Sequence, residues 1–178
     1  MTEPSPEVTE RRRIKHMRNE KVKRIIMAVD RYGLGLKNAI RDDLLKQGYE
    51  VYDVNPEEPM LYQDAACAVA GGVRAGEYDR GMAFCGTGMG VSIICNKHKG
   101  VYAALVESVY QARRARQVNN ANVLCMGGFL IGHEMGKEMA NAWLQMEHMV
   151  DMDPEMAKIV GKEFDALVET EGRVFASN

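Results

Sequence analysis

Five short apolar runs alternate with helix-patterned segments along this chain, and no other feature limits its possible folds so strongly. The runs are "RIIMAVD" from Arg24, "YEVYDV" from Tyr49, "RGMAFCG" from Arg80, "VYAALV" from Val101 and "NVLCMGG" from Asn122. Each has the length and composition of a strand, and most read as buried on both faces. In the first intervening segment, "LKNAIRDDLLKQG", Leu36, Ile40, Leu44 and Leu45 share one helical face, and Gly48 is the stop. "QDAACAVAGGVRAGEYD" reads as a helix of small residues that frays at its glycines. "GVSIICNKHKG", "SVYQARRARQVN" and "GHEMGKEMANAWLQME" complete the series. Such alternation implies βαβ units, hence an α/β chain whose parallel five-stranded sheet is covered by helices on both faces. A last helix, from Pro154 to about Thr170, is N-capped by Asp153 and has no strand after it. It is expected to pack on a partner subunit.

A length of 178 residues suits one domain with an ordinary core, expected over residues 23–150, with the extra helix in 151–178. Residues 1–22 carry mixed charge and little apolar periodicity, so they are expected to form an arm outside the core. Arg11, Arg12 and Arg13 have no aromatic company and read as a solvated face. The net charge of −2 gives no reason to expect nucleic acid or an acidic membrane as partner, and no apolar run approaches membrane-spanning length. The four cysteines, Cys67, Cys85, Cys95 and Cys125, show no CxxC spacing, so reduced thiols in a cytoplasm are the expectation. His16, His98, His133 and His148 form no paired ligand pattern, and no metal is expected.

In open parallel sheets a ligand lies at the carboxyl ends of the strands. Asp30 ends the first strand and Cys85 the third, so both could face one pocket. Cys85 opens "CGTGMG", a glycine loop leading into a helix. The loop is not a full dinucleotide motif GxGxxG, because Val91 stands where the third glycine belongs, although Glu107, 21 residues beyond Gly86 at a strand end, keeps a nucleotide-dependent oxidoreductase as the lesser alternative. Nor is it a P-loop, for no Lys-Ser/Thr follows. Cysteines are ordinarily small buried hydrophobes, and Cys67, Cys95 and Cys125 read so. Cys85 differs by position: backbone N–H groups at a helix start stabilise a thiolate and an oxyanion formed beside it. A base next to an oxyanion hole is what proton abstraction beside a carbonyl requires.

The stretch "FCGTGMGVSIICNKHKGVYAALVESVYQARRARQVNNANVLCMGG" resembles the type B ribose-5-phosphate isomerases and the related galactose-6-phosphate isomerase subunits, whose pattern includes CGTGxG followed by NK. The likeness runs from Lys23 to Trp143 and takes in Asp30. It implies a three-layer αβα Rossmann-like fold and an aldose–ketose isomerase of phosphorylated sugars that uses no metal or cofactor and proceeds through a cis-enediolate. Cys85 would shuttle the proton between C1 and C2. The N–H groups of Gly86, Gly88 and Gly90 would hold the enediolate, with Thr87 nearby. Asp30 would hydrogen-bond sugar hydroxyls and assist ring opening, and Asn119 would also touch substrate. The resemblance further implies a homodimer or homotetramer whose sites are completed by the partner subunit.

The departures bear on substrate. Val118 stands where the family has a ring-opening histidine, Arg31 replaces the histidine after Asp30, and Phe129 replaces a phosphate-gripping arginine. "HMVDMDPEMAK" replaces a second arginine-bearing segment. Arg31, Arg113, Arg114 and Arg116 are the candidates for an anion, with a solvated helical face as the plainer reading of the last three. A short sugar phosphate that forms no furanose, a hetero-oligomer whose partner supplies the missing groups, and a sugar-phosphate binder without turnover all fit these losses.

Overall fold

The computed structural model describes residues 22–176, so all but the last residue of the expected 1–22 arm lies outside the described residues. Strands β1 (Arg24–Val29), β2 (Glu50–Asp53), β3 (Arg80–Cys85), β4 (Ala103–Leu105) and β5 (Val123–Gly127) alternate with helices α1 (Leu34–Lys46), α2 (Tyr62–Ala75), α3 (Met89–Cys95), α4 (Val109–Gln117) and α5 (His133–Gln145). A last helix, α6 (Pro154–Ala176), follows. The sheet is wholly parallel, in the order β2-β1-β3-β5-β4. The α/β sandwich expected from the alternation is the architecture found.

Period-2 alternation divides the strand side chains between two cores. Ile25, Met27, Val29, Met82, Phe84, Leu124 and Met126 pack with Leu36, Ile40 and Leu44 of α1 and Met139 and Trp143 of α5. Ile26, Ala28, Ala83, Cys85, Val123 and Cys125 face α2 and α3 on the other side, through Ala65, Ala66, Val69, Val91 and Cys95. Each fully buried large side chain contributes about 1.5–3 kcal/mol. The second layer is built of small residues, which lets its helices sit close: a Cβ on Gly81 would meet Val69 at 2.5 Å.

Two local expectations are corrected. Leu45 is exposed, because the face that meets the sheet is set by Leu36, Ile40 and Leu44, with Lys37 buried beside them. Helix α2 does not fray at Gly71 and Gly72 but runs to Ala75, stopping at Gly76 in the left-handed conformation; Gly72 is packed against Tyr78 and Ile26, which hold that turn in place. Asp153 does cap α6, accepting the N–H of Glu155 at 2.9 Å.

Candidate active site

The strand order sets the site. From β1 the chain crosses to β2 on one side and then to β3 on the other, so consecutive connections diverge at the β1–β3 pair, and the crevice of an open sheet opens at such a point. Val29 pairs with Phe84, so Asp30 and Cys85, the next residues in each strand, stand side by side at its mouth. The backbone N–H of Asp30 donates to the Phe84 carbonyl at 3.1 Å. Both side chains are nearly closed off, Cys85 at 6% exposure and Asp30 at 8%.

Gly88 N–H donates to Cys85 Sγ at 3.1 Å. The loop can turn its N–H onto the sulfur because Gly88 has φ +77°, a region that costs an L-residue about 1–2 kcal/mol. The first N–H groups of a helix have no intrahelical acceptor, so the start of α3 presents further donors beside the thiol. Thr87 is exposed at the lip, its Oγ1 3.4 Å from the N–H of Met89. Asp30 Oδ1 accepts the N–H of Tyr32 at 2.8 Å, which fixes the carboxylate toward the following turn.

A third strand end closes the crevice. Gly128 N–H donates to the Cys85 carbonyl at 2.8 Å and Phe129 N–H to the Gly86 carbonyl at 2.9 Å. This approach needs bare backbone at 127 and 128: a Cβ on Gly127 would stand 2.5 Å from the Thr87 carbonyl carbon, and one on Gly128 would collide with the Tyr32 carbonyl. The Phe129 ring then lies on Gly86, and Tyr32 lies against Phe129 with centroids 5.0 Å apart. Tyr62 covers Gly90 in the same way.

Of the expected cationic groups, Arg31 stands beside this crevice, exposed, with its guanidinium 5.9 Å from the Tyr32 ring centroid. Arg116 does not reach it. That side chain is buried and donates to the carbonyl and side chain of Asn120. Burial, with the charge of Arg80 second, pulls its guanidinium down to about 9. Arg80, whose charge acts on Arg116, opens β3 and Cys85 closes it, so Arg116 sits toward the opposite end of the strands from the thiol. Asn119 is exposed in the turn before β5 at that same end, and Arg113, on exposed helix surface, pairs with Asp151 at 3.3 Å. Within one chain, therefore, Cys85, Gly86, Thr87, Gly88, Gly90, Asp30 and Arg31 come together, while Asn119 and Arg116 do not join them.

The sequence reading missed the group that holds Asp30 in place. Asn55 accepts the N–H of Val29 at 3.1 Å and donates to its carbonyl at 2.8 Å, clamping the residue before the aspartate. Lys37, fully buried, donates to both Asp53 oxygens at 2.6 Å and to the Asn55 carbonyl at 2.8 Å. Burial draws its ammonium below the ordinary lysine value, against the pull of Asp53. A lysine at 37 in the 36/40/44 apolar stripe is the sequence signal for this pair, since such a position demands a buried acid.

A family model described as Ribose/Galactose Isomerase matches residues 25–160. The chain belongs to that family. It is 37% identical to a 4-deoxy-4-sulfo-D-erythrose isomerase of a Clostridium species over 83% of this chain and 96% of the relative. It is 40% identical to D-erythrulose-4-phosphate isomerase of Pectobacterium atrosepticum over 69% and 83%. Ribose-5-phosphate isomerase B of Mycoplasma genitalium, solved with ribulose-5-phosphate, superposes with a TM-score of 0.76 at 31% identity, covering 86% of this chain and 99% of that one. The resemblance drawn from the glycine loop thus holds across the fold, and the chain is an enzyme of the sugar-phosphate isomerase type.

Proposed function

We propose that this enzyme interconverts a four-carbon aldose and its ketose, each bearing an anionic group at C4, through a cis-enediolate with Cys85 as the base. The observation that carries the reading is the Gly88 N–H on Cys85 Sγ, beside Asp30 in one closed crevice. From the aldose, the thiolate takes the proton on C2, the C–H electrons form the C1–C2 double bond, and O1 takes the negative charge. The N–H groups of the Gly86–Gly90 loop receive that charge. The thiol then returns its proton to C1 while the O2 proton passes to O1, so no redox partner is consumed. Asp30 orients the hydroxyls. A four-carbon sugar substituted at C4 has no hydroxyl placed to close a furanose, which matches Val118, a residue that can neither donate nor accept a proton.

The terminal group on this reading is phosphate, as in the erythrulose-4-phosphate relative. A sulfonate is the second reading. Phe129 puts an uncharged ring at the crevice wall, Arg31 is the one guanidinium set beside the crevice among the described residues, and a single cation matches a monoanion better than a dianion. The relative matched over 96% of its length is named for a sulfonated tetrose. We read the functional unit as an oligomer, because Asn119 at the far sheet edge reaches a crevice only in another copy. Helix α6, with Ile159, Leu167, Val168 and Val174 exposed, supplies an apolar face for that contact. A reducing cytoplasm suits the free thiol.

The test is solvent exchange. The full chain is incubated in D₂O with D-erythrose 4-phosphate, 4-deoxy-4-sulfo-D-erythrose and ribose 5-phosphate, with Cys85→Ala alongside. Deuterium appearing next to the carbonyl of a four-carbon sugar, and lost in the variant, is the expected result. Exchange that survives Cys85→Ala removes the thiol from the mechanism, and no exchange with any sugar removes the self-sufficient enzyme.

A further inference from the structure

β1 outruns its neighbour at the end that carries Asp30. Its ladder with β2 closes at the Met27–Asp53 pair, and Val54 gives its N–H to the Met27 carbonyl before the chain turns away. The next backbone groups on that side, the N–H and carbonyl of Val29, meet a side chain in place of a strand. Asn55 Oδ1 accepts the Val29 N–H at 3.1 Å, and Asn55 Nδ2 donates to the Val29 carbonyl at 2.8 Å. Nδ2 also donates to the Glu58 carbonyl at 3.0 Å. The backbone of Asn55 is engaged as fully: its N–H donates to Asp53 Oδ1 at 3.2 Å, and its carbonyl accepts Lys37 Nζ at 2.8 Å. Asn55 is buried, whereas Pro56, Glu57, Glu58 and Pro59 after it are exposed. A residue so placed has no polar group left for a substrate. What it holds is the peptide that leads into Asp30.

Resting on the enediolate reading, we propose that Asn55 is a positioning residue of this enzyme: its side-chain amide fixes the end of β1 so that the Asp30 carboxylate stays beside the Cys85 thiol. On the β3 side that end is held by the Asp30 N–H on the Phe84 carbonyl at 3.1 Å. On the β2 side the amide makes both bonds to Val29 described above, and the Met60 N–H, at 3.3 Å, is the second donor to the Val29 carbonyl. Without the amide the Val29 N–H is a buried donor with no acceptor, an unfavourable state that a shift of the strand end toward water relieves. Asp30 moves with that shift, and so does its turn with Tyr32. A misplacement of about 1 Å in the groups around a reaction costs about 100-fold in rate. Lys37 and Asp53 stand behind the amide, so their ion pair serves the site through Asn55 and not by contact.

The experiment is a double-mutant cycle in kcat/KM for D-erythrose 4-phosphate, with Asn55→Ala made in the wild type and in Asp30→Ala. The expected loss is about 10- to 100-fold with Asp30 present and less than about threefold with Asp30 removed. A residue that acts through the carboxylate has nothing to position once the carboxylate is gone, whereas damage to folding lowers both pairs alike. Asn55→Asp is the second variant, in case Asn55→Ala is too unstable to purify. It keeps an acceptor for the Val29 N–H but has no donor for the Val29 and Glu58 carbonyls, and it should follow the same pattern. Amide hydrogen exchange reads the claim without any sugar. The Asp30 N–H exchanges about tenfold faster in either variant, while the Gly81 N–H, bonded to the Asn122 carbonyl at the other end of β3, keeps its rate. Equal losses in the two backgrounds, or an unchanged Asp30 N–H, overturn the proposal. Substrate deuteration that survives Cys85→Ala overturns the enediolate reading alone, because neither the cycle nor the amide rates involve the thiol.

Discussion

Gly88→Ala tests the geometry on which the site depends. A methyl there would have to hold φ +77° and would stand 2.6 Å from Leu105 Cδ1, 3.0 Å from the Met126 carbonyl carbon and 3.2 Å from the Gly127 nitrogen. The left-handed conformation costs about 1–2 kcal/mol. The Leu105 tip can yield, but the backbone of β5 is held in its ladder with β3 and β4, and overpacking of this kind costs a further ~1–3 kcal/mol. For a chain of this size each kcal/mol lowers Tm by about 2–4 °C, so a loss of roughly 4–20 °C is expected. If the loop moves, the N–H leaves Cys85 Sγ. A hydrogen bond to a charged acceptor is worth about 1.5–3 kcal/mol, which is about a 10- to 150-fold fall in kcat at 1.4 kcal/mol per tenfold. Gly48→Ala is the control. It has φ +87° with nothing within 4 Å, so it should lose only the conformational part and leave kcat alone. Calorimetry and the deuterium-exchange rate give both numbers. If Gly88→Ala costs no more than Gly48→Ala in Tm and less than threefold in kcat, the contact geometry at the thiol is not what the catalysis uses.

Two further outcomes follow from the buried groups. Lys37→Met leaves the buried Asp53 carboxylate with the Arg41 guanidinium at 2.9 Å and the Asn55 N–H at 3.2 Å but without its ammonium. Removing one partner of a buried pair costs about 3–5 kcal/mol, and the remaining arginine sets the low end, so Tm should fall by about 6–12 °C. A fall under 2 °C would show that the pair does not hold the β1–β2 ends together. His148, whose Nε2 lies 3.2 Å from the Val118 carbonyl, is held below the ordinary histidine value by burial first and the charge of Arg116 second. Between that lowered value and about 6.5 the unfolded chain binds more protons than the folded one, so stability drops as pH falls through this window. His148→Gln should flatten that part of the curve, read as urea midpoints from pH 5 to 8. A difference curve that does not change with pH would contradict the assignment.

Much of the fold could be read locally. Strand and helix periods are properties of adjacent residues, so the five strands, their parallel class and the capping of α6 by Asp153 follow from patterns within a few positions. The glycine loop is also local: "CGTGMG" carries its chemistry in consecutive residues, and Cys85 stood out for that reason. Leu45 and the glycines of α2 were misread because a stripe on a helix does not say which edge of it meets the sheet. Packing against Ile26, distant in sequence, and against Tyr78 just past the helix settles how α2 passes Gly72.

What the sequence determined, then, was the kind of layers and the identity of the reactive loop. Only the tertiary structure decided that β1 and β3 are neighbours, so that Asp30 joins Cys85. The same structure turned Arg116 inward to Asn120 and carried Asn119 to the far edge. It also brought Phe129 over Gly86 and Tyr32 over Phe129. The pairing of β1 with β3 and the placing of Phe129 and Tyr32 depend on strand order and on where bare glycine lets two backbones touch. Both are choices among contacts tens of residues apart, which no local period encodes.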